Sequence, residues 1–316
     1  MKTCLVTGAT GFVGRRLVSK LAELKSDVQV IGAGRRECDG PWNHFSEVDL
    51  GQPDAQISLE GVDTVFHLAS KAHAVSERPG DDSDYRAVIV DGTRRLVAAA
   101  EVAGVQRFLY VSSVKAMGEG DVADKSQPID ETMSPEPKTP YGCCKLEAEG
   151  IVLESSIPHV VVLRPVMVYG FGHKGNLVRM AEAIRKGRFP PISENNNRRS
   201  MVHVNDLVEA CVQAIISRVN SNRGTYIIAN GKALSTRELY DELRNEMGMR
   251  PINWSVPRWV LFFGAKIGDL IGKISGRRMP LDSDIIDKLL GSAWYTGRKG
   301  EDELGISYQD DRGFLK

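Results

Sequence analysis

The residues Thr7-Gly8-Ala9-Thr10-Gly11-Phe12-Val13-Gly14 decide how this chain is read. They follow a short apolar run at 3–7 and lead into 13–24, where apolar residues recur at helical spacing. Glycines at a strand-to-helix turn permit a tight bend and let an anion approach the backbone. Free N–H groups and the helix dipole then stabilise the negative charge. The spacing is G-x-x-G-x-x-G, not the G-x-G-x-x-G of most dinucleotide-binding turns. At residue 8 of an alternating chain, it predicts a pyrophosphate site formed by Gly8, Thr10, Gly11, Phe12, Val13 and Gly14.

Outward from this turn, short β-branched runs alternate with helical patterns. Strands are predicted at 28–32, 64–68, 108–112 and 160–163, with helices at 84–103 and 141–155 between them. The runs are nearly continuous in apolar residues, as strands covered on both faces are. The fold class expected is α/β, a doubly wound (Rossmann-type) parallel sheet with a smaller C-terminal domain. Residues 1–164, joined by 201–230, would form the nucleotide-binding domain. Residues 165–200 and 231–316 would form the domain that holds substrate. In this later part, 170–176 and 190–197 read as loops, 201–204 and 225–228 as strands, and 205–217 as a helix. Ser235 and Glu238 make a capping box for a helix reaching 247.

Composition narrows the function classes. The 316 residues carry 41 Lys and Arg against 41 Asp and Glu, with 42% apolar and 26% charged residues. Disorder, collagen and coiled coil are excluded as global descriptions. Zero net charge argues against a long-range pull towards nucleic acid or an anionic membrane, and no nucleic-acid partner is expected. Five cysteines without zinc-site spacing read as reduced thiols, so no metal site is expected and the location inferred is cytoplasmic. Gly8, Gly11 and Gly14 interrupt any signal-peptide core after Met1-Lys2-Thr3. The longest apolar run, 259–265, is far below the roughly 20 residues that span a bilayer. Around it, Trp259, Phe262, Phe263, Ile267, Leu270, Ile271 and Ile274 recur at helical spacing, with Lys266, Asp269 and Lys273 among them. This pattern reads as a core or subunit-contact helix, without membrane insertion; a helix on a membrane surface is the alternative.

Two further sites carry chemistry. The second strand runs into Gly34-Arg35-Arg36 with no acidic residue at its end. An acid there reads a ribose 2′-hydroxyl and an arginine a 2′-phosphate, so NADPH is favoured over NADH, with Arg35 and Arg36 on the phosphate. Solvated surface arginines are the alternative. Tyr141 and Lys145 lie four residues apart behind Thr139-Pro140, an N-cap and first-turn proline. They share a helix face, and the cation is expected to lower the tyrosine's pKa for proton transfer. Ser113 ends a strand where ligands collect in an open parallel sheet.

These pieces resemble an extended short-chain dehydrogenase/reductase of the NAD(P)-dependent epimerase/dehydratase family. The matching segments are the glycine turn, Val48-Asp49-Leu50, His67-Leu68-Ala69-Ser70, Ser112-Ser113, Tyr141-Gly142-Cys143-Cys144-Lys145, Leu163-Arg164-Pro165, Val168-Tyr169-Gly170 and 199–206. The resemblance implies that Ser113, Tyr141 and Lys145 form the catalytic triad, with Lys145 also on the cofactor. It implies that Asp49 and Leu50 meet the adenine and that Leu68, Ala69, Ser70 and Pro165 line the cofactor's path. Asn176 and Arg199 would bind the diphosphate of a nucleotide sugar. A homodimer through the helices at 84–103 and 141–155 is possible in such enzymes.

Departures from the family pattern narrow the reaction. Sugar dehydratases of this family carry Asp-Glu after the catalytic hydroxyl residue, and here Val114-Lys115 stands there. Ser112-Ser113-Val114-Lys115 with Gly118-Glu119, and His67-Leu68-Ala69 with Lys71-Ala72-His73, resemble 4-ketoreductases and 4-epimerases of UDP-linked N-acetyl sugars. Ile89 replaces a usual asparagine. The leading expectation is NAD(P)H-dependent reduction of a UDP-linked 4-keto-6-deoxy-N-acetylhexosamine, for bacterial surface polysaccharide. The alternatives are a UDP-sugar 4-epimerase with bound NAD and a non-catalytic NADP-binding sensor.

Overall fold

The computed structural model describes residues 1–24, 28–71, 81–118, 127–172, 175–216, 223–275, 282–309 and 313–315. Ala72, His73, Glu119 and Ser217 therefore lie outside the described residues.

Among the described residues the strands are β1 (Thr3–Thr7), β2 (Gln29–Gly34), β3 (His44–Glu47), β4 (Thr64–His67), β5 (Arg107–Val111), β6 (His159–Pro165), β7 (Met167–Tyr169), β8 (Arg199–His203), β9 (Arg223–Ile228) and β10 (Ala233–Leu234). The helices are α1 (Phe12–Leu24), α2 (Asp81–Tyr85), α3 (Gly92–Val102), α4 (Pro140–Glu154), α5 (Asn176–Arg185), α6 (Val204–Ile216), α7 (Thr236–Glu246), α8 (Arg258–Ser275), α9 (Ser283–Leu290) and α10 (Arg298–Leu304). Seven strands form one sheet in the order β3-β2-β1-β4-β5-β6-β9, every neighbouring pair parallel. This is the doubly wound α/β sheet that the alternating pattern predicts. From β1 the chain first builds outward through β2 and β3, then returns to place β4 on β1's other side. The crevice between the carboxyl ends of β1 and β4 is thus the switch point where such sheets collect ligands.

Apolar layers cover both faces. One unites Leu17, Val18 and Leu21 of α1 with Leu207, Cys211 and Ile215 of α6 over the sheet. The other unites Leu96, Val97 and Ala100 of α3 with Ala148 and Val152 of α4. A second sheet, β10-β8-β7, belongs to a smaller lobe whose core joins Tyr169, Leu177, Met201, Leu239 and Leu243.

Several elements differ from the sequence reading. The strand expected at 201–204 begins at Arg199 and pairs in the smaller sheet. Strand β3 is a short edge whose four residues include only one buried side chain, Phe45, so no apolar run announces it. The helix expected at 84–103 contains a π-helical turn at Arg86–Asp91, between α2 and α3. Asn176, expected at the end of a loop, instead opens α5. Helix α8 forms, but it is not a core helix. Trp259, Phe263 and Leu270 are exposed at 72%, 64% and 60%.

Ser235 caps α7 as expected: its hydroxyl accepts from Glu238 N, and the Glu238 carboxylate accepts from Ser235 N. The same hydroxyl donates to Glu194 Oε2 at 2.6 Å, tying α7 to the loop before β8. Ser235→Ala is expected to destabilise the protein by about 1–2 kcal/mol, read as a lower urea midpoint. An unchanged midpoint would show that this cap is dispensable.

Candidate active site

The site grows from the glycine turn. Gly8 has φ +68°, and a Cβ there would lie 2.9 Å from Ala69 N. A Cβ on Gly14 would lie 2.2 Å from Gly8 O, inside the turn itself. Only glycines let the turn fold back on α1 and press against the chain leaving β4. Thr10 and Gly11 are exposed at the mouth, ahead of Phe12, Val13 and the start of α1. Backbone this open at a helix N-terminus fits the pyrophosphate of a dinucleotide.

Neighbouring strand ends complete the rim. Ala9 N donates to Ala33 O at 3.3 Å, and Val48 N donates to Gly34 O at 2.8 Å. Arg35 and Arg36 are exposed where the chain leaves β2, just after Gly34. Asp49 is half-buried one strand further out and accepts from Gly51 N at 3.0 Å; Leu50 is buried.

On the other side, residues 68–70 run from the turn into the reactive centre. Ala69 N donates to Thr7 Oγ1 at 3.2 Å, fastening this segment to β1. The Ser70 and Ser113 hydroxyls both hydrogen-bond Tyr141. Ser113 has an extended backbone after β5, and its hydroxyl accepts from Lys115 N at 3.2 Å. Thr139 caps α4, accepting from Gly142 N at 3.2 Å, with Pro140 in the first turn as expected. Tyr141 is thereby fixed one residue into α4, its ring T-shaped against buried Tyr85 at 5.6 Å. One turn on, Lys145 Nζ donates to Val111 O at 3.0 Å and lies 4.7 Å from the Tyr110 ring centroid. The structure thus brings together the glycine turn, Leu68, Ala69, Ser70, Ser113, Tyr141 and Lys145 at the carboxyl edge of β1, β4 and β5.

The electrostatics correct one expectation. Burial pushes the Tyr141 hydroxyl up to about 12, against the opposing hydrogen bonds from Ser70 and Ser113. It pushes Lys145 down to about 7, against the opposing field of Glu149. Both groups are desolvated, and that effect outweighs the hydrogen bonds on Tyr141 and the charge of Glu149 on Lys145. Tyr141 is accordingly a protonated phenol at neutral pH, poised as a proton donor.

Two supporting groups, Glu149 and His67, carry no role of their own in the sequence reading. Glu149 stands four residues beyond Lys145, so Tyr141, Lys145 and Glu149 share one face of α4. Its buried carboxylate accepts from Ser112 Oγ at 2.5 Å and from Arg164 Nη2 at 2.6 Å and Nε at 3.0 Å. Arg164, known from the sequence as part of a motif, anchors β6 to α4 through this pair, next to Pro165. His67 is the other group. Thr93 donates its hydroxyl to Ile89 O, so Thr93 Oγ1 accepts from His67 Nε2 at 2.9 Å. Thr7 Oγ1 donates to His67 Nδ1 at 2.7 Å. Burial keeps this imidazole neutral, down to about 3. The Y-x-x-x-K-x-x-x-E spacing was the available signal for Glu149.

Asn176 and Arg199 lie in the smaller lobe. Asn176 is exposed at the first position of α5. Arg199 Nε donates to Thr236 Oγ1 at 3.2 Å, and its Nη2 donates to Gly291 O at 3.3 Å. After Ser113, Val114 is buried in the core, so no carboxylate occupies the position that dehydratases use.

The sequence matches the NAD dependent epimerase/dehydratase family over residues 4–229, and the chain belongs to that family. It is 33% identical over 300 residues to a UDP-glucose 4-epimerase of Vibrio cholerae, covering 92% of this chain and 86% of the other. It is 26% identical to the N-acetyl-alpha-D-glucosaminyl-diphospho-ditrans,octacis-undecaprenol 4-epimerase of Escherichia coli O157:H7, covering 93% and 87% of the two chains. The fold superposes on MoeE5 in complex with UDP-glucuronic acid and NAD with TM-score 0.73, 25% identity and coverage of 98% and 94%. The protein is thus a member of a family of NAD(P)-dependent sugar-nucleotide epimerases and reductases.

Glu149→Gln leaves Arg164 buried beside a neutral partner. It is expected to cost about 3–5 kcal/mol of stability, measured by urea unfolding at pH 7. A loss below about 1 kcal/mol would show that the guanidinium is satisfied without the carboxylate.

Proposed function

We propose that the protein carries out hydride chemistry at C4 of a UDP-linked hexose or N-acetylhexosamine, with 4-epimerisation as the leading reading. One observation carries it: Ser70 and Ser113 converge on Tyr141 directly beside the glycine turn. The 33% identity to a UDP-glucose 4-epimerase supports the choice of reaction. The glycine turn would hold a nicotinamide dinucleotide, which would supply reversible hydride exchange with sugar C4. Gly8, Thr10, Gly11, Phe12, Val13 and Gly14 would hold its phosphates. Asp49 and Leu50 would meet the adenine, and Leu68, Ala69, Ser70 and Pro165 would line the path.

When the 4-hydroxyl is oxidised, its proton would pass to Tyr141 as the phenolate. When hydride returns, Tyr141 would give that proton back, with Ser113 hydrogen-bonded to the oxygen. Lys145, drawn up by Glu149, supplies positive charge beneath Tyr141 when protonated. The smaller lobe would contribute Asn176 and Arg199 to the substrate diphosphate. A guanidinium matches phosphate oxygens in a fork.

Two observations favour a second reading, 4-ketoreduction with NADPH. Arg35 and Arg36 stand exposed just past the end of β2, where a guanidinium can meet a 2′-phosphate. Tyr141 also rests as a protonated donor, which suits delivery of a proton to a reduced 4-oxygen.

Purified protein given UDP-glucose or UDP-GlcNAc without added cofactor distinguishes these readings. Formation of the C4 epimer is expected. Inertness with those sugars but consumption of NADPH with a UDP-4-keto sugar would transfer the assignment to reduction. Under either reading, Tyr141→Phe is expected to lower kcat by about 10²–10⁴ while dinucleotide binding persists. Near-normal kcat in that variant would remove Tyr141 from its role.

A further inference from the structure

Helix α8 wears its apolar side outward. Its buried stripe is thin, with Leu261 and Ala265 packed on Ile286 and Leu290 of α9 and on Ile192. Six large side chains, Trp259, Phe262, Phe263, Ile267, Leu270 and Ile271, are exposed along the opposite side. Trp254 is 62% exposed just ahead of the helix. A water-facing helix with this content is unusual, since large contiguous apolar patches on soluble proteins mark interaction sites.

Charge indicates what covers it. Residues 251–280 hold five of the chain's 41 Lys and Arg (Arg258, Lys266, Lys273, Arg277 and Arg278) and one of its 41 Asp and Glu. That one acid, Asp269, accepts from Ser283 N at 3.1 Å and Ser283 Oγ at 2.5 Å, so it is engaged by α9. Arg258 and Lys266 are exposed on the helix with the aromatics. The segment is therefore basic in a chain of zero net charge. Tryptophan and phenylalanine beside lysine and arginine suit the headgroup layer of an anionic bilayer. A second copy of the chain suits the face less well. Paired with itself antiparallel about a two-fold at mid-helix, α8 would set Lys266 against its own copy. Among the described residues no helix is long and apolar enough to cross a membrane. An 18-residue helix with one buried stripe and embedded cations is instead shaped to lie along a surface.

We propose that α8 seats the protein on the surface of an anionic lipid bilayer, with its aromatic side in the headgroup layer. The proposal stands apart from the choice between epimerisation and reduction.

The test is sedimentation of the full chain with phosphatidylcholine vesicles, with and without 30% phosphatidylglycerol, alongside sedimentation equilibrium without lipid. Wild type is expected to bind the anionic vesicles and to release them as salt rises. Trp259→Ser combined with Phe263→Ser is expected to lose about tenfold or more in vesicle partitioning. Lys266→Glu is expected to lose about fivefold or more. Circular dichroism and dinucleotide binding should be unchanged in both variants. Wild type remaining in the supernatant with both vesicle types would overturn the proposal. So would a wild-type dimer, without vesicle binding, that the double variant converts to monomer.

Discussion

Everything in the reactive centre depends on one close approach. The backbone of Gly8 meets the backbone of Leu68 and Ala69, where any Cβ on Gly8 would fall within 2.9–3.1 Å. The contact fixes the end of β1 against the end of β4 at the switch point of the sheet. Thr7 reinforces it from within, accepting from Ala69 N and donating to His67. Ser70 is then carried to Tyr141. The cradle that can take a dinucleotide and the hydroxyl that can move a proton are therefore joined through three consecutive residues.

The second constraint is burial of polar groups on α4. Tyr141, Lys145 and Glu149 descend one helix face from the rim into the core. Near the rim, desolvation dominates: it holds the phenol's proton on and weakens the ammonium's hold on its own. Deeper down, Glu149 is met by Arg164 and Ser112, and its charge in turn supports Lys145. A buried pair of this kind contributes little net stability, but removing either partner is costly. Its structural consequence is registry, since α4, the end of β5 and the end of β6 meet on a single carboxylate.

The parallel sheet, and the meeting of Ser113, Tyr141 and Lys145 beside the glycine turn, were legible because they rest on local signals. The glycine turn, the continuous apolar strands, Thr139-Pro140 and the Tyr141–Lys145 spacing each state their geometry within a few residues. What the sequence hid was set by tertiary contact. Strand β3 forms because β2 offers an edge, not because 44–47 is apolar. The π turn at 86–91 precedes Thr93, which closes the His67 network, and no periodicity marks such a turn. Tyr141's pKa was misjudged because a neighbouring cation is visible in a sequence and burial is not. Helix α8 was expected from its apolar repeat, yet the repeat alone cannot say whether the apolar side faces a core or the outside. Only the packing of Leu261 and Ala265 on α9 settles which stripe is inward.

The central claim is that chemistry occurs by hydride transfer at C4, with Tyr141 handling only the oxygen-bound proton. The most direct test is turnover of a UDP-linked hexose carrying deuterium at C4, run in ordinary water and followed by NMR and mass spectrometry. Hydride transfer predicts an epimer that keeps its deuterium at C4, because hydride never exchanges with solvent. Loss of the label to water would mean that C4 was deprotonated, and would contradict it.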